Sequence, residues 1–522
     1  MVYGKDNEIQ IECLKYSKDR GKENHMNWYK FDRKNWKQYF ELVIASIIYV
    51  VPIILADRYY FDDLARSLYG ATGWRGDGRP LGEYLVLLLC DGKPIVDISP
   101  LPLILSIAIL SYSLVLYCKN NLDLIADEHA QVLVLLFIIT NPFAMSNLSY
   151  KFDCIIMLVS LSISFLIYSI HDEIPWYWLF GGSIISGVLI MSLYQAAIGM
   201  CIALFIINVL FYIIKKNSII QDVVRILGIG VGILAYKIVI APHFIARDDW
   251  RYKASKSVQD ISLQSLKVIA DNIVNSCDYI IDNMLRTPLL FQVAGGITII
   301  CSILSILILY LRRNSERKVH RKIAEIIFII ISPVFVWLAT FLPLMVLSSL
   351  HLKSRIFLAF GGFFFYIAIM LMISSQKRKR FATVLLLLCL FCQYTYMYTY
   401  GNALKNQKEY EKYAVYNIAH DLETINCDGQ FRTVSFVGDM PRSRQVQMIC
   451  EKYPLFEEII PVYFSNDTWI GGAWVYHYLQ YDLKIEEITE EDREVVDFSE
   501  PVINNSIYAC YINTEKIIVC FR

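Results

Sequence analysis

The chain is 522 residues long, 56% hydrophobic and only 19% charged, with 49 basic and 49 acidic residues and a mean hydropathy of +0.43. So apolar a composition excludes an ordinary soluble globular protein and predicts a polytopic membrane protein in contact with a lipid bilayer, while zero net charge excludes a nucleic-acid partner. The 13 cysteines are scattered through apolar segments and the C-terminal region without mixed Cys/His spacing, so no zinc site or redox motif is expected.

In chain order, residues 1–38 form a charged tail, too long for a cleavable signal peptide, so the first apolar run is read as an uncleaved anchor. Runs of about 20 apolar residues, enough to cross roughly 30 Å of hydrocarbon, recur about eleven times. They fall at 39–56, 97–118, 130–147, 153–170, 177–193, 196–214, 226–241, 289–311, 324–346, 354–374 and 381–398. Tyr84–Cys90 is apolar but too short to span, and fits a helix along the membrane surface.

Lysine and arginine collect in the N-terminal tail, at Lys215, Lys216 and Arg225, from Arg312 to Lys322, and from Lys377 to Arg380. These clusters share one parity, which the positive-inside rule makes cytoplasmic. The loop 242–288 is also basic and lies on the other side, but it is long and its acids nearly balance its bases, so the short loops decide. The expected organisation is a cytoplasmic tail 1–38, a membrane domain 39–399 with a large first external loop at 57–96, and an external C-terminal domain 400–522. That domain opens with a helix near 402–424, followed by β-rich runs at 433–439, 459–464, 507–513 and 516–522, the last two forming a hairpin. With a three-residue hairpin loop Cys510 would face Cys520, and Cys427 with Cys450 offers a second external disulfide; four reduced cysteines are the alternative. No internal repeat, Walker motif, dinucleotide-binding glycine pattern or nucleophile elbow is present, so ATP-driven pumping is not expected.

Charges at the outer ends of spans are the functional candidates, because a charge at membrane depth is costly. The first loop supplies Asp57, Arg58, Asp62, Asp63 and Arg66, then the glycine-rich stretch GATGWRGDGRPL with Trp74, Arg75 and Arg79. Asp62 and Arg66 are spaced for a simple i,i+4 salt bridge, but the adjacent Asp63 lacks so obvious a partner, and a carboxylate at such a boundary suits a general base. Trp74 is a candidate face for a sugar ring, and the embedded RGD is read as coincidence. Elsewhere, NPFAMSNLSYKFD brings Lys151 and Asp153 to a tight turn, where snorkelling and helix capping are the plainer roles. SLYQAA brings Tyr194 and Gln195, and HLKSR brings Arg355; Lys237 and Arg247 are further cations on that side. Carboxylates opposite several cations suit a donor whose phosphate departs at the membrane surface while a carboxylate takes a proton from an incoming hydroxyl.

FDDLARSLYGATGWRGDGRPL, NPFAMSNLSYKFD and SLYQAA, in this order, resemble the Gtr-type glucosyltransferases that modify bacterial O-antigen. The resemblance implies an α-helical polytopic membrane protein with a GT-C-like bundle in the bacterial inner membrane, to which the pattern past residue 400 adds a C-terminal α+β periplasmic domain. It further implies transfer of glucose from undecaprenyl-phosphate glucose to an O-antigen or other glycan acceptor in the periplasm, with a flippase and a donor synthase acting upstream. On this reading Asp62 and Asp63 are the catalytic acids. Arg79, Lys151, Arg355 and Arg247 hold the donor phosphate, and Arg66, Trp74, Asp153, Tyr194 and Gln195 contact substrate. No metal ligand is assigned, although adjacent acids could take a divalent ion. The alternatives are an O-antigen polymerase or ligase using the loop PHFIARDDWRYK, and a non-enzymatic flippase for a lipid-linked sugar.

Overall fold

The computed structural model of the chain describes residues 29–170, 174–215, 218–245, 262–313, 318–348, 350–374, 379–429, 431, 433–464, 474–475, 484–514 and 516–522. Within them, nine helices are long and apolar enough to cross a membrane alone, and a bent pair makes a tenth crossing. The protein is a polytopic helical membrane protein with a C-terminal α+β domain.

Local chemistry explains the element ends. The first span, Arg33–Ala56, starts at a capping box in which Asp32 accepts from Asn35 N–H, and stops at Asp57, which is left-handed at φ 43°. The third expected span is not continuous: Glu128–Ile139 ends before Asn141, and Pro142–Ser149 continues at 51°. Pro142 lacks an N–H and bars its predecessor from helical backbone, while the Asn141 side chain caps Phe143 N–H. The fourth, Asp153–Ser169, has 17 residues, so it is about 25 Å long and shorter than the hydrocarbon layer.

The eleventh span runs far past its expected end at 398. It forms one 47-residue helix, Lys379–Ile425, that absorbs the helix expected at 402–424. Gly401 marks no break there; it lets this helix approach the first span so closely that a Cβ would lie 2.3 Å from Pro52 Cβ. Hence a rigid rod of about 70 Å joins the membrane body to the C-terminal domain.

The domain carries a five-stranded mixed sheet of order β2-β1-β5-β4-β3, with β1 at Thr433–Val437, β2 at Lys484–Ile485, β3 at Ile503–Asn504, β4 at Tyr508–Ile512 and β5 at Lys516–Phe521. β4 and β5 form the expected hairpin, but Ile512 faces Ile517, a register one residue off the expected one. Cys510 therefore faces Val519 and Cys520 faces Ala509, and all four cysteines of the domain are free, so neither disulfide forms. The expected strand at 459–464 is also absent. Leu455–Ile459 is a short helix, and Phe456, Ile459 and Ile460 pack into the same core as the membrane helices. The apolar run reflects burial against that body rather than sheet pairing.

Candidate active site

The first loop leaves the membrane body at Asp57 and returns at helix Leu101–Asn121. Within it, Asp63–Tyr69 is a short helix and Pro80–Leu89 a longer apolar one, started by proline at its first position. The two adjacent acids lie at the start of the short helix in unlike surroundings. Asp62 has a half-exposed side chain, whereas Asp63 is fully buried.

Asp153, the first residue of the fourth span, organises the loop. One carboxylate oxygen accepts from Arg66 Nη1, and the other accepts from Trp74 Nε1 at 2.7 Å with Arg79 Nη1 at 3.8 Å. The Arg66 guanidinium lies 4.2 Å from the Trp74 ring centroid and 3.5 Å from Asp62. Trp74 is thus completely buried, with one ring face covered by a cation, and presents no face to a sugar. The expected stacking role is replaced by a scaffolding one. Asp153 is no simple helix cap either, since its side chain holds three loop residues.

Asp63 fastens the same loop to the turn before Asp153. Its carboxyl accepts from Lys151 N–H at 2.7 Å, Tyr60 N–H at 3.2 Å and Phe152 N–H at 3.3 Å. Burial, followed by repulsion from Asp153, pushes this carboxyl from 3.8 up to about 8, against the pull of the Lys151 and Phe152 N–H groups and of Arg66. Asp63 therefore keeps its proton near neutrality. Because its folded value is raised, its stabilising protonated form is fully present below the unfolded value and is lost as pH rises through about 8. Asp63→Asn should retain the fold and flatten the fall in melting temperature between about pH 4 and 8; a fall as steep as wild type would refute this protonation state.

The cationic half faces Tyr194. The Arg79 guanidinium sits 4.9 Å from that ring, with its Nε buried and lacking a hydrogen-bond partner. The Tyr194 hydroxyl donates to the Arg355 carbonyl at 2.7 Å, and Arg355 Nη1 donates to the Tyr150 hydroxyl at 2.6 Å. Gln195 Nε2 donates to the Gly78 carbonyl at 3.0 Å, and Tyr236 OH donates to the same oxygen. Gly78 is left-handed at φ 73°, and a Cβ there would lie 2.8 Å from Tyr236 OH. Arg355 and Arg66 pull the Asp62 carboxyl down, but burial raises it more, so its proton affinity lies above the usual carboxylate value.

Lys151 departs from the expected role. Its ammonium donates to Asp57 at 2.6 Å and Asp97 at 3.0 Å and lies 4.2 Å from the Tyr59 ring, so its charge is already balanced twice. Asp97 was missed because the expected second span began on it, whereas the helix starts at Leu101. Arg247 lies outside the described residues. Beside Lys151 opens a cavity of about 310 Å³ lined by apolar Ile53, Ile54 and Leu103 and by polar Arg58, Ser149 and Tyr150. Arg58 is paired at 2.7 Å with Glu411 on the long helix, a partner with no local signal in the sequence. Among the described residues no group of three or more His, Cys, Asp or Glu side chains is arranged to hold a metal ion.

Comparison with known proteins adds two findings. The family model for the glucosyl transferase GtrII matches residues 51–372, which include the loop, the Asp153 turn, Tyr194 and Arg355. An uncharacterized 55.3 kDa protein from the gtrB 5′ region of Salmonella phage P22 is 27% identical over 492 residues, covering 91% of this chain and 96% of that protein. No solved structure matches.

Proposed function

Because the chain belongs to the GtrII glucosyl transferase family, we propose that it moves glucose from a polyprenyl-phosphate carrier, undecaprenyl-phosphate glucose, to an O-antigen or related surface glycan. The transfer is proposed for the periplasmic face of a bacterial inner membrane, with the N-terminus cytoplasmic and the C-terminal domain periplasmic. The basic clusters in the short cytoplasmic loops support that orientation. A carrier lipid charged in the cytoplasm must be made and turned over first, so a donor synthase and a flippase are the expected upstream partners.

The observation that carries the reading is a half-exposed carboxylate, Asp62, on the loop held by the Arg66–Asp153 pair, together with Arg355 bonded to Tyr150, which also lines the amphiphilic cavity. In the proposed step the Asp62 carboxylate takes the proton of an acceptor hydroxyl, and that oxygen attacks the anomeric carbon. The bond from that carbon to the phosphate oxygen breaks on the opposite face, with inversion. Arg355 and Arg79 stabilise the departing polyprenyl phosphate. A carrier lipid fits the cavity chemically: Ile53, Ile54 and Leu103 suit its isoprenoid end, and Tyr150, bonded to Arg355, marks the end toward the phosphate. Asp63, protonated and buried, holds the loop rather than taking the proton.

The test incubates the purified protein with polyprenyl-phosphate glucose and lipopolysaccharide. Glucose should appear in the acceptor with inverted configuration. Transfer only from a diphosphate-linked oligosaccharide, or translocation of the lipid without a new glycosidic bond, would reject the proposal.

A further inference from the structure

The short segment Glu458–Pro461 of the C-terminal domain binds three membrane-body elements that are far apart in sequence. Glu458 Oε1 accepts from Ser354 N–H at 2.6 Å and Oε2 accepts from Tyr279 OH at 2.7 Å, on the helix Leu263–Leu285. The Ile459 carbonyl accepts from Tyr60 OH at 3.0 Å, and the Pro461 carbonyl accepts from Arg58 Nη2 at 2.5 Å. Tyr60 and Arg58 flank the start of the loop that carries Asp62, and Ser354 precedes Arg355. One segment is therefore anchored to both halves of the site.

The contact at Ser354 meets a specific need. Ser354–Phe360 is a 3-10 turn opening the tenth span, and the residue before it, Lys353, offers no side-chain cap. First-turn N–H groups lack intrahelical acceptors and carry partial positive charge, so a carboxylate is a strong partner for one of them. Glu458 supplies it from 104 residues away. The Arg355 carbonyl is held in turn by Tyr194 OH and Asn147 Nδ2. The backbone of Arg355 is thus fixed on its N-terminal side by the C-terminal domain and on its C-terminal side by the membrane body.

We propose that Glu458 is a positioning residue that sets Arg355 against the loop bearing Asp62, so that the C-terminal domain completes the glucosyl-transfer site. The inference rests on the proposed donor reaction for its kinetic consequence and on geometry alone for its structural one.

The experiment compares Glu458→Ala, Glu458→Gln, Arg355→Ala and the Glu458→Ala/Arg355→Ala double variant of the full chain. Initial rates are followed against polyprenyl-phosphate glucose concentration, and amide exchange over residues 352–358 is followed separately. A displacement of about 1 Å costs on the order of 10²-fold, so Glu458→Ala should lower kcat/KM by about 10- to 100-fold. Glu458→Gln, which can still accept from Ser354 N–H, should recover most of that, and the double variant should be no worse than Arg355→Ala alone. Multiplying losses, or exchange at 352–358 unchanged by Glu458→Ala, would overturn the inference. Faster exchange in Glu458→Ala, together with no transfer from the phosphate donor even by wild type, would instead uphold the positioning and reject the donor reading.

Discussion

Asp62→Asn is expected to lower kcat by about 10²- to 10⁴-fold, the range for removal of a positioned general base, without lowering the melting temperature. The separation of activity from folding follows from the site. Asp62 is half-exposed and its 3.5 Å contact with Arg66 is the longer of that arginine's two ion pairs, so the buried Arg66–Asp153 pair survives the change. Asparagine matches the shape of the side chain and removes only its basicity. For wild type, kcat/KM should fall as pH falls through the raised pKa of Asp62, on an acid limb above 3.8, because only the deprotonated form accepts the proton. Asp63→Asn, which mimics the protonated state of a buried group, should keep transfer within about tenfold of wild type. The reverse order, with Asp62→Asn active and Asp63→Asn dead, would exchange the two roles.

Much of this arrangement is written in local patterns, and what is not depends on partners distant in the chain. Hydropathy locates the crossings because the bilayer demands long apolar helices, and the break before Pro142 has its own local cause. The continuity of the last helix past residue 398 is not legible locally, since Gly401 is a close-packing position only because the first span lies against it. The acidic pair and the cations of the tight turns are visible as charges where charges are costly. Their pairing is not. Lys151 looks available until Asp57 and Asp97 converge on it, and Trp74 looks like a sugar platform until Asp153 and Arg66 enclose it. Glu411 and Glu458 sit on the long helix and beyond it, and no spacing rule links either to a partner more than 100 residues away.

The second large effect is expected at Asp153, and it is one of stability. Asp153 is 3% exposed, and Arg66 and Trp74 both donate to its side chain. Asp153→Ala leaves the guanidinium of Arg66, a residue 9% exposed, with only the half-exposed Asp62 as an ion-pair partner. Removing one partner of a buried ion pair typically costs ~3–5 kcal/mol, chiefly because the other charge stays buried. The Trp74 indole N–H would also lose its acceptor, and the loop its tie to the fourth span. Asp153→Ala should therefore lower the melting temperature markedly and abolish transfer together with it, unlike Asp62→Asn. Adding Arg66→Met should restore part of the stability, since two apolar groups no longer bury an unpaired charge, but not the transfer, because the loop remains untied. Wild-type stability in Asp153→Ala, or no stability regained in the double variant, would show that the pair does not anchor the loop.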